Sequence, residues 1–407
     1  MPFFGYAKAA ILVLGGISLF GLLLYTRRPI TSVYDSWAGS VSAELLLIVL
    51  SALAIWIAGK QLPTMTLEPL ADMQRCGLLS FLYGYRKLEK KTGIQGKPPF
   101  ERLPSSLSFS VNQKPDLISI QAESFFDPRD AFSCLRKELL PHWDRLCSES
   151  ISHGLLDTGP WGANTVRPEF EFLTGLCSAQ IGVHQFQPYR TLGQKPLPTL
   201  ATWLKAIGYR TIAIHPYEMC FYKRDKVYPN LGFDEFIDIR AFKNADIAGG
   251  YVSDVALGQF VADLLAQPSS QPRYIHVVTM ENHGPYDITN GLEHTQHPLS
   301  NPIPERCGEL EVYARHLQNT DTLFGLVSNA LSAQDCPGAL CVFGDHVPIL
   351  TQAYEALGYP DGHTNYLIWN AADIRHNNSE NPLAVEHLAQ TFLGAVGMPS
   401  PKIAANA

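Results

Sequence analysis

The chain has 407 residues, of which 46% are hydrophobic and 17% are charged, and its formal net charge is -7. This length allows one large domain or two ordinary ones. The negative charge excludes a generally basic surface, so nucleic acid is not expected as a partner. The eight cysteines include no C-x-x-C pair, which argues against a structural zinc site, and their even number permits disulfides without assigning any.

Two apolar stretches, residues 9–25 and 43–59, lie near the N-terminus, and the second contains one charged side chain, Glu44. Each has about 17 residues, close to the minimum for a helix that crosses a bilayer. We therefore predict a membrane anchor with two transmembrane helices over residues 1–60. A signal peptide with Lys8 in its charged region is an alternative for the first stretch, and a buried helical hairpin is an alternative for both.

The loop between the two apolar stretches contains Arg27 and Arg28. Short loops that carry positive charge tend to remain in the cytoplasm. The sequence that follows the second stretch is therefore expected on the outer side of the membrane.

Residues 61–114 are expected to connect the anchor to the next domain. Basic side chains at Arg86, Lys87, Lys90 and Lys91 follow a run of leucines and aromatic residues. An amphipathic helix on anionic lipid headgroups would account for this pattern, and so would a helix with one solvated face. Several prolines then break the chain before the next domain.

Residues 115–398 alternate short apolar runs with helical patterns, which predicts a single catalytic-type domain. The predicted strands cover residues 116–121, 209–214, 273–280 and 339–343, and the predicted helices cover residues 200–207, 260–266 and 317–331. This alternation indicates an α/β fold with a mostly parallel central sheet flanked by helices.

Each predicted strand is followed by a side chain that can bind a metal or transfer a proton. These side chains are Glu123, His215, His283, and Asp345 with His346. One such residue is more often a hydrogen-bonded turn residue than a ligand. The carboxyl ends of parallel strands share one edge of the sheet, however, so the side chains at these four strand ends are expected to converge.

A helix start is predicted around Thr165. The chain before Asn164 is rich in glycine and proline, and Pro168 and Glu169 then precede an apolar run with helical spacing. Thr165 should therefore lie at or just before a helix N-terminus, where backbone N–H groups favour an anion. Its hydroxyl could cap the helix or act as a nucleophile, and this stretch alone leaves both interpretations open.

Glu123, Thr165, Asp345 and His346 form an oxygen-rich set of four possible metal ligands. Such a set suits Mn²⁺ or Mg²⁺, whereas Zn²⁺ usually recruits more histidine or cysteine. A bound divalent cation would also lower the pKa of the Thr165 hydroxyl, which would make it a better nucleophile.

Five motifs occur in the order seen in lipoteichoic acid synthases and in the related membrane phosphoglycerol transferases that decorate osmoregulated periplasmic glucans. The motifs are QAESF (121–125), NT with EF (164–165 and 169–170), FYKRD (221–225), TMENH (279–283) and GDH (344–346). The chain resembles these enzymes over about residues 115–370. They belong to the alkaline phosphatase and sulfatase superfamily, so the resemblance implies that fold.

The resemblance also implies an activity. It suggests an enzyme of the bacterial inner or cell membrane with its catalytic domain on the periplasmic or extracellular side. The enzyme would take phosphoglycerol from a phospholipid donor, phosphatidylglycerol, and give it to a glycan or polymer of the cell envelope. Glu123, Thr165, Asp345 and His346 match the family's metal ligands, and Thr165 matches its nucleophile.

Four further positions match the family's pattern around the substrate, and His283 among them is expected to protonate or activate the oxygen of the leaving or entering group. They are Arg224, Tyr222 (in place of the usual tryptophan), His215 and His283. A guanidinium suits phosphate, and Phe221 with Tyr222 could form a wall around glycerol. Alternatively, both aromatic side chains belong to the core and Arg224 pairs with Asp225 on the surface.

The sequence also departs from the family after the nucleophile. The synthases usually have serine and aspartate after the threonine, whereas this chain has Val166 and Arg167. Arg167 could contact a phosphate or an anionic acceptor, or it could pair with Glu169 or Glu171. The acceptor therefore stays open.

Three other functions remain alternatives. They are a phosphoethanolamine transferase, a phosphodiesterase or sulfatase-type hydrolase, and an inactive membrane scaffold. The sulfatase motif C/S-x-P-x-R does not match Thr165 to Pro168, which argues against a sulfatase. All four expected metal ligands are present, which argues against an inactive scaffold.

Overall fold

A computed structural model describes residues 64–101, 114–159, 164–286, 297–375 and 380–398, together with Val49. Apart from Val49, the two predicted membrane segments lie outside these residues. None of the helices in the described ranges has the length and apolar character needed to span a membrane. The chain divides into two compact units, Met1–Lys87 and Leu88–Ala407.

In the first unit, helix α1 (Pro69–Cys76) leads into helix α2 (Leu78–Lys91), whose last turn continues into the second unit. Gly77 separates them with a φ of 76°, and its N–H donates to Met73 O at 2.9 Å. Leu78 and Leu79 on α2 are exposed. Both interpretations of this amphipathic segment, lipid-facing and solvated, stay predictions.

In the second unit, the described ranges contain one large sheet with the strand order β10-β2-β9-β8-β1-β7-β3-β4. Its strands are β1 (Leu117–Ala122), β2 (Ser152–Asp157), β3 (Arg210–Ile214), β4 (Glu235–Ile237), β7 (Arg273–Val278), β8 (Ala339–Gly344), β9 (Thr364–Asn370) and β10 (Leu383–Ala384). All neighbouring pairs are parallel except that β9 is antiparallel to both β8 and β2. The predicted mostly parallel sheet is confirmed.

A separate small hairpin consists of β5 (Ile247–Ala248) and β6 (Tyr251–Val252). The helices of the second unit are α3 (Pro141–Glu149), α4 (Val166–Thr174), α5 (Ser178–Ile181), α6 (Pro188–Thr191), α7 (Leu200–Ala206), α8 (Arg224–Asn230), α9 (Asp254–Ala266), α10 (Gly308–Ser332), α11 (Thr351–Leu357) and α12 (Val385–Ala395).

The helices cover both faces of the sheet because successive strand residues point to opposite faces. On β1, Ile118 and Ile120 pack in one core with α3, α9, α10 and α11. Leu117 packs in a second core with α4, α7, α8 and α12. All six residues of β1 are buried, as expected for a central parallel strand.

The predicted strands and helices are present. Some of them begin earlier than predicted, and the structure contains other elements that were not predicted. Helix α9 begins at Asp254 and α10 at Gly308, well before the predicted residues 260 and 317. Strands β2 and β9 were not predicted. The eight cysteines all lie in the described ranges, and no disulfide joins any of them.

Strand register brings the ends of β1 and β8 level with each other. Ala122 pairs with Gly344, so the next residues, Glu123 and Asp345, leave the sheet side by side. A Cβ at Gly344 would lie 1.8 Å from the carbonyl oxygen of Phe125. Glycine is therefore required at this position, where the two chain segments approach each other closely.

Candidate active site

Three side chains meet where β1 and β8 end. Ligand atoms of Glu123, Asp345 and His346 all lie within 4.8 Å of one another, and all three residues are buried. We call these three residues the ligand cluster. His346 Nε2 lies 3.3 Å from Glu123 Oε1 and 3.6 Å from Asp345 Oδ2. The expected convergence of these residues is confirmed.

Ser124 links two members of the ligand cluster, and sequence reasoning missed it. Its N–H donates to Asp345 Oδ1 at 2.8 Å, and its hydroxyl donates to Glu123 Oε1 at 2.9 Å. Ser124 has a φ of 52°, which is strained for a residue with a Cβ. Tyr313 holds this conformation by donating to Ser124 O at 2.7 Å. The only sequence signal was its place directly after Glu123.

Thr165 immediately precedes helix α4, as predicted, but its hydroxyl does not cap the helix. The side chain accepts no capping hydrogen bond; instead Oγ1 donates to Glu123 Oε2 at 3.1 Å. Gln121 fixes the Thr165 backbone by donating from Nε2 to its carbonyl at 3.0 Å. The capping interpretation is therefore wrong, because the hydroxyl is turned toward the ligand cluster.

The electrostatics of the ligand cluster favour a bound cation. Burial raises the pKa of Glu123, but the hydrogen bond and charge of His346 outweigh it and lower the value to about 2. Burial and the Glu123 charge raise the pKa of Asp345 to about 7. Burial lowers the pKa of His346, but Asp345 and Glu123 raise it to about 10. One imidazolium thus faces two buried carboxylates.

The donor atoms also fit a metal. No described residue donates a hydrogen bond to the buried Asp345 Oδ2, which is unusual for a carboxylate oxygen unless a cation neutralises it. Two carboxylates, one imidazole and the Thr165 hydroxyl are hard or intermediate donors that suit a divalent ion. Among the residues that the structure describes, the ligand cluster is the group of histidine and acidic side chains that could hold one.

A buried ion pair lies one helical turn from Thr165. Arg224, the first residue of α8, donates from Nη2 to Glu169 Oε2 at 2.6 Å, and Nε lies 3.5 Å from Oε1. The hydroxyls of Tyr189 and Tyr228 donate to Glu169 Oε1 at 2.6 and 2.7 Å. Arg224 therefore pairs with Glu169, and the alternative of a surface pair with Asp225 is wrong.

This pair neutralises both buried charges. Burial raises the pKa of Glu169, but the charge and hydrogen bond of Arg224 lower it to about 2. Burial lowers the pKa of Arg224, but Glu169 raises it above its ordinary value. Both side chains are almost completely buried, so each needs the other.

The two residues that directly precede Arg224 adopt left-handed backbone conformations. Tyr222 and Lys223 have φ values of 52° and 59°. Consecutive residues with a Cβ in this region are strained, and they turn the chain into α8. The Tyr222 ring lies 5.5 Å from Arg224 Cζ, and Phe221 is 38% exposed. Phe221 is therefore not a core residue.

His215 is held as a neutral imidazole at the end of β3. Nδ1 donates to Val278 O at 3.0 Å, whereas the buried Nε2 has no hydrogen-bond partner in the described part of the chain. Burial and the charge of Arg224 lower the pKa of His215 to about 3. The Nε2 lone pair can therefore accept a hydrogen bond from a ligand.

His283 lies in the loop after β7. Its Nδ1 is 2.7 Å from Gly284 O and 3.4 Å from the Tyr251 hydroxyl. A carbonyl only accepts, so Nδ1 carries the proton in this bond and Nε2 is the atom that can exchange a proton with a substrate.

A polar network missed by sequence reasoning fixes the His283 loop. Asn282 donates to the Thr320 hydroxyl at 2.8 Å, which donates to Asp254 Oδ2 at 2.7 Å. Glu281 Oε2 accepts from Asp254 N at 2.6 Å, and Oε1 accepts from Asn319 at 2.7 Å. The loop is thus bonded to both α9 and α10. The motif TMENH contained the signal, but its partners are distant in sequence.

Arg167 has no ion-pair partner among the described residues. Its Nη2 lies 3.4 Å from Gln185 Oε1, and its Nε is buried without an acceptor. Glu169 is occupied by Arg224, and Glu171 accepts from Ser178 at 2.6 Å. The alternative pairs of Arg167 with Glu169 or Glu171 are therefore not formed.

The sequence model of the sulfatase family matches residues 115–398. The capsular polysaccharide biosynthesis protein RkpI of Rhizobium meliloti is 31% identical over 265 residues, which are 65% of this chain and 46% of that protein. The chain thus spans less than half the length of this relative.

Two solved structures share the fold. The phosphoglycerol transferase GacH of Streptococcus pyogenes, in complex with sn-glycerol-1-phosphate, has a TM-score of 0.59 at 21% identity and covers 83% of this chain and 84% of its own. The lipoteichoic acid synthase LtaP of Listeria monocytogenes has a TM-score of 0.57 at 20% identity and covers 78% of each chain.

Proposed function

This chain belongs to the sulfatase family, and from that premise we propose that it is a metal-dependent phosphoglycerol transferase. It would move the head group of phosphatidylglycerol through a phosphothreonine intermediate to a glycan or polymer of the cell envelope. The observation that carries the proposal is the direction of the Thr165 hydroxyl, which turns away from its helix and toward the ligand cluster.

The metal ligands would be Glu123, Thr165, Asp345 and His346, and we propose Mn²⁺ or Mg²⁺ because the set is rich in oxygen. When bound, the ion supplies positive charge that lowers the pKa of the hydroxyl and offsets charge on phosphate.

In the first step, Thr165 Oγ1 forms a bond to phosphorus while the bond to the diacylglycerol oxygen breaks. The hydroxyl proton leaves through Glu123, whose Oε2 lies 3.1 Å away. His283 protonates the departing diacylglycerol oxygen from Nε2. Diacylglycerol leaves, and phosphoglycerol stays on Thr165.

In the second step, an acceptor hydroxyl attacks phosphorus and the bond to Thr165 Oγ1 breaks. His283 takes the proton of the acceptor hydroxyl, and Thr165 regains its proton from Glu123. Both steps need the phosphate to stay fixed while charge spreads over its oxygens.

The substrate-binding residues would hold the head group from the β3 side. Glu169 fixes the Arg224 guanidinium by accepting from Nη2 at 2.6 Å, and Arg224 would contact the phosphate. The bare Nε2 of His215 suits a glycerol hydroxyl, and Tyr222 with Phe221 suits the glycerol carbons.

The names of similar proteins support the donor and the acceptor. GacH was solved with sn-glycerol-1-phosphate, and RkpI takes part in capsular polysaccharide biosynthesis. Two predicted helices within residues 1–60 would anchor the protein beside its lipid donor, in a bacterial membrane with the site on the outer side. Arg167, two residues after the nucleophile, would contact an acceptor or phosphate.

The test is to incubate the full-length protein with Mn²⁺ and head-group-labelled phosphatidylglycerol without an acceptor. We expect label on Thr165 by mass spectrometry, and none in the Thr165→Ala variant with the fold retained. Label from phosphatidylethanolamine instead would reverse the donor assignment. Substantial transfer by Thr165→Ala would refute the covalent intermediate.

A further inference from the structure

A cavity of about 720 Å³ lies between the segment that follows β1 and the start of β9. Phe126 and Asp127, a few residues beyond the first member of the ligand cluster, form part of its wall. Asp127 N donates to Asn365 Oδ1 at 2.7 Å, and Thr364 donates to Gly344 O at 2.9 Å. The wall is therefore bonded to β9, and the first residue of β9 is bonded to the end of β8.

The cavity and the head-group residues lie on different sides of the ligand cluster. His215 and Arg224 follow β3, and His283 follows β7, whereas the cavity is lined from β2 and the β9 segment. The strand order β2-β9-β8-β1-β7-β3 places the ends of β8 and β1 between them. A molecule in the cavity would therefore approach the ligand cluster from the side away from the head-group residues.

The packing on the two faces of the sheet leads to the same conclusion as the strand order. Helix α4, which follows Thr165, packs in one core, whereas Trp143 of α3 lines the cavity and packs in the other. An acceptor that attacks phosphorus in line must approach from the side opposite to Thr165. Because α4 and Trp143 pack on opposite faces of the sheet, the cavity lies on the face away from the helix that follows Thr165.

The cavity lining is acidic. It contains five carboxylates and one guanidinium, which leave a formal charge of -4 with histidine neutral: Asp127, Asp130, Asp144, Asp361, Glu380 and Arg129. Arg129 Nη2 lies 2.6 Å from Asp127 Oδ2 and 2.5 Å from Asp144 Oδ1, so its charge is already shared. Such a lining repels a polyanion and offers acceptors to hydroxyl groups.

The cavity also presents an aromatic surface. Tyr359 is 65% exposed at its rim, and its ring centroid lies 5.3 Å from that of Tyr354. Phe126 and Trp143 are buried in the wall. A sugar ring can place its C–H face on an aromatic ring while its hydroxyls donate to carboxylates, as in other sites that combine apolar walls with few polar groups.

We propose that this cavity binds the acceptor and that the acceptor is a neutral, hydroxyl-rich glycan. The inference rests on the proposed function for the role of the glycan as acceptor, whereas glycan binding itself does not require the donor. In the transfer step a glycan oxygen bonds to phosphorus, the bond from phosphorus to Thr165 Oγ1 breaks, and the glycan proton passes to His283.

The closing experiment measures glycan binding by calorimetry, with the full-length protein in lipid nanodiscs and no donor. The probes are a neutral glucan oligosaccharide and an oligosaccharide of the same length that contains uronic acid. We expect Tyr359→Ala to weaken glucan binding about tenfold, as truncation of an aromatic anchor does. The matched control is Ile374→Ala, which removes a large exposed side chain outside the cavity.

The charged probe tests the acidic lining. We expect it to bind more weakly than the neutral glucan and to gain affinity in Asp130→Lys. The inference is overturned if the glucan does not bind, if Tyr359→Ala and Ile374→Ala bind it equally, or if the charged probe binds more tightly to the wild type. Glucan binding without label on Thr165 would refute the proposed function and leave the glycan site supported.

Discussion

Glu169 and Glu123 are both buried carboxylates at the same edge of the sheet, yet their surroundings differ. Glu169 faces one guanidinium and two tyrosine hydroxyls, so its charge is balanced and both oxygens are hydrogen-bonded. Glu123 shares its region with Asp345, and one imidazole serves both. The Glu169–Arg224 pair is complete in itself, whereas the ligand cluster carries an excess of negative charge.

This difference separates two tasks within one site. A balanced and fully buried pair holds Arg224 in a fixed position before any substrate arrives, which would lower the entropy cost of the phosphate binding proposed for it. The neighbouring carboxylates of Glu123 and Asp345 repel each other, and a bound divalent cation would relieve this repulsion. The relief would contribute to the affinity for the ion. Removing a carboxylate should therefore have opposite effects in the two regions.

The largest effect is expected from Glu169→Gln. It leaves Arg224 charged, buried and unpaired, which should lower the free energy of unfolding by about 3–5 kcal/mol. Thermal or urea unfolding measures this loss. The matched control is Glu171→Gln on the same helix, because burial already raises the pKa of Glu171 to about 7 and no described basic side chain lies in ion-pair contact with it. Equal losses in both variants would contradict the comparison.

Asp345→Asn should act in the opposite direction. At pH 8 in the presence of a chelator, the amide removes one of two crowded negative charges and leaves Glu123 and His346 as a balanced pair. We expect the free energy of unfolding to rise by about 2 kcal/mol. Mn²⁺ should raise the melting temperature of the wild type and not that of the variant. A variant less stable than the chelated wild type would show that Asp345 is no source of repulsion.

A smaller change in the free energy of unfolding is expected for each unit by which the pH is lowered. The pKa of Asp345 is raised to about 7 from an unfolded value near 3.8, so the folded chain holds an extra proton between these values. The chelated wild type should therefore gain stability relative to Asp345→Asn as pH falls, by about 1.4 kcal/mol per unit between pH 7 and 4. If the free energies of unfolding of the two proteins changed in parallel with pH across this range, the raised pKa of Asp345 would be excluded.

Much of the fold could be predicted because its signals are local. The apolar runs of β1, β3, β7 and β8 are short, continuous and followed by polar side chains, which is the pattern of buried parallel strands. Strand β2 lacks this pattern, since its burial alternates and it contains a histidine and a glycine. Helix α9 was only half predicted: the local cap at Ser253 was overlooked, and Asp254 in the first turn is buried through the distant partners Glu281 and Thr320.

The site shows the same division. The strand ends identified Glu123, His215, His283, Asp345 and His346, and the helix-start pattern identified Thr165. The Arg224 partner, Glu169, could not be identified, because the two are 55 residues apart and the pattern around Glu169 only indicated a helix start. Arg167 was noticed from its charge, but the absence of an ion pair among the described residues is a result of packing.

The sequence by itself determined which residue types follow each strand, and hence that carboxylates and imidazoles gather at one edge of a parallel sheet. Only the tertiary structure decided which of those charges are balanced. Ser124 donates a hydrogen bond to Asp345, which is 221 residues away in the sequence. The Thr165 hydroxyl donates to Glu123, 42 residues away, and does not cap its own helix. Hydrogen bonds over such distances depend on strand register and side-chain direction, and local patterns carry no information about either.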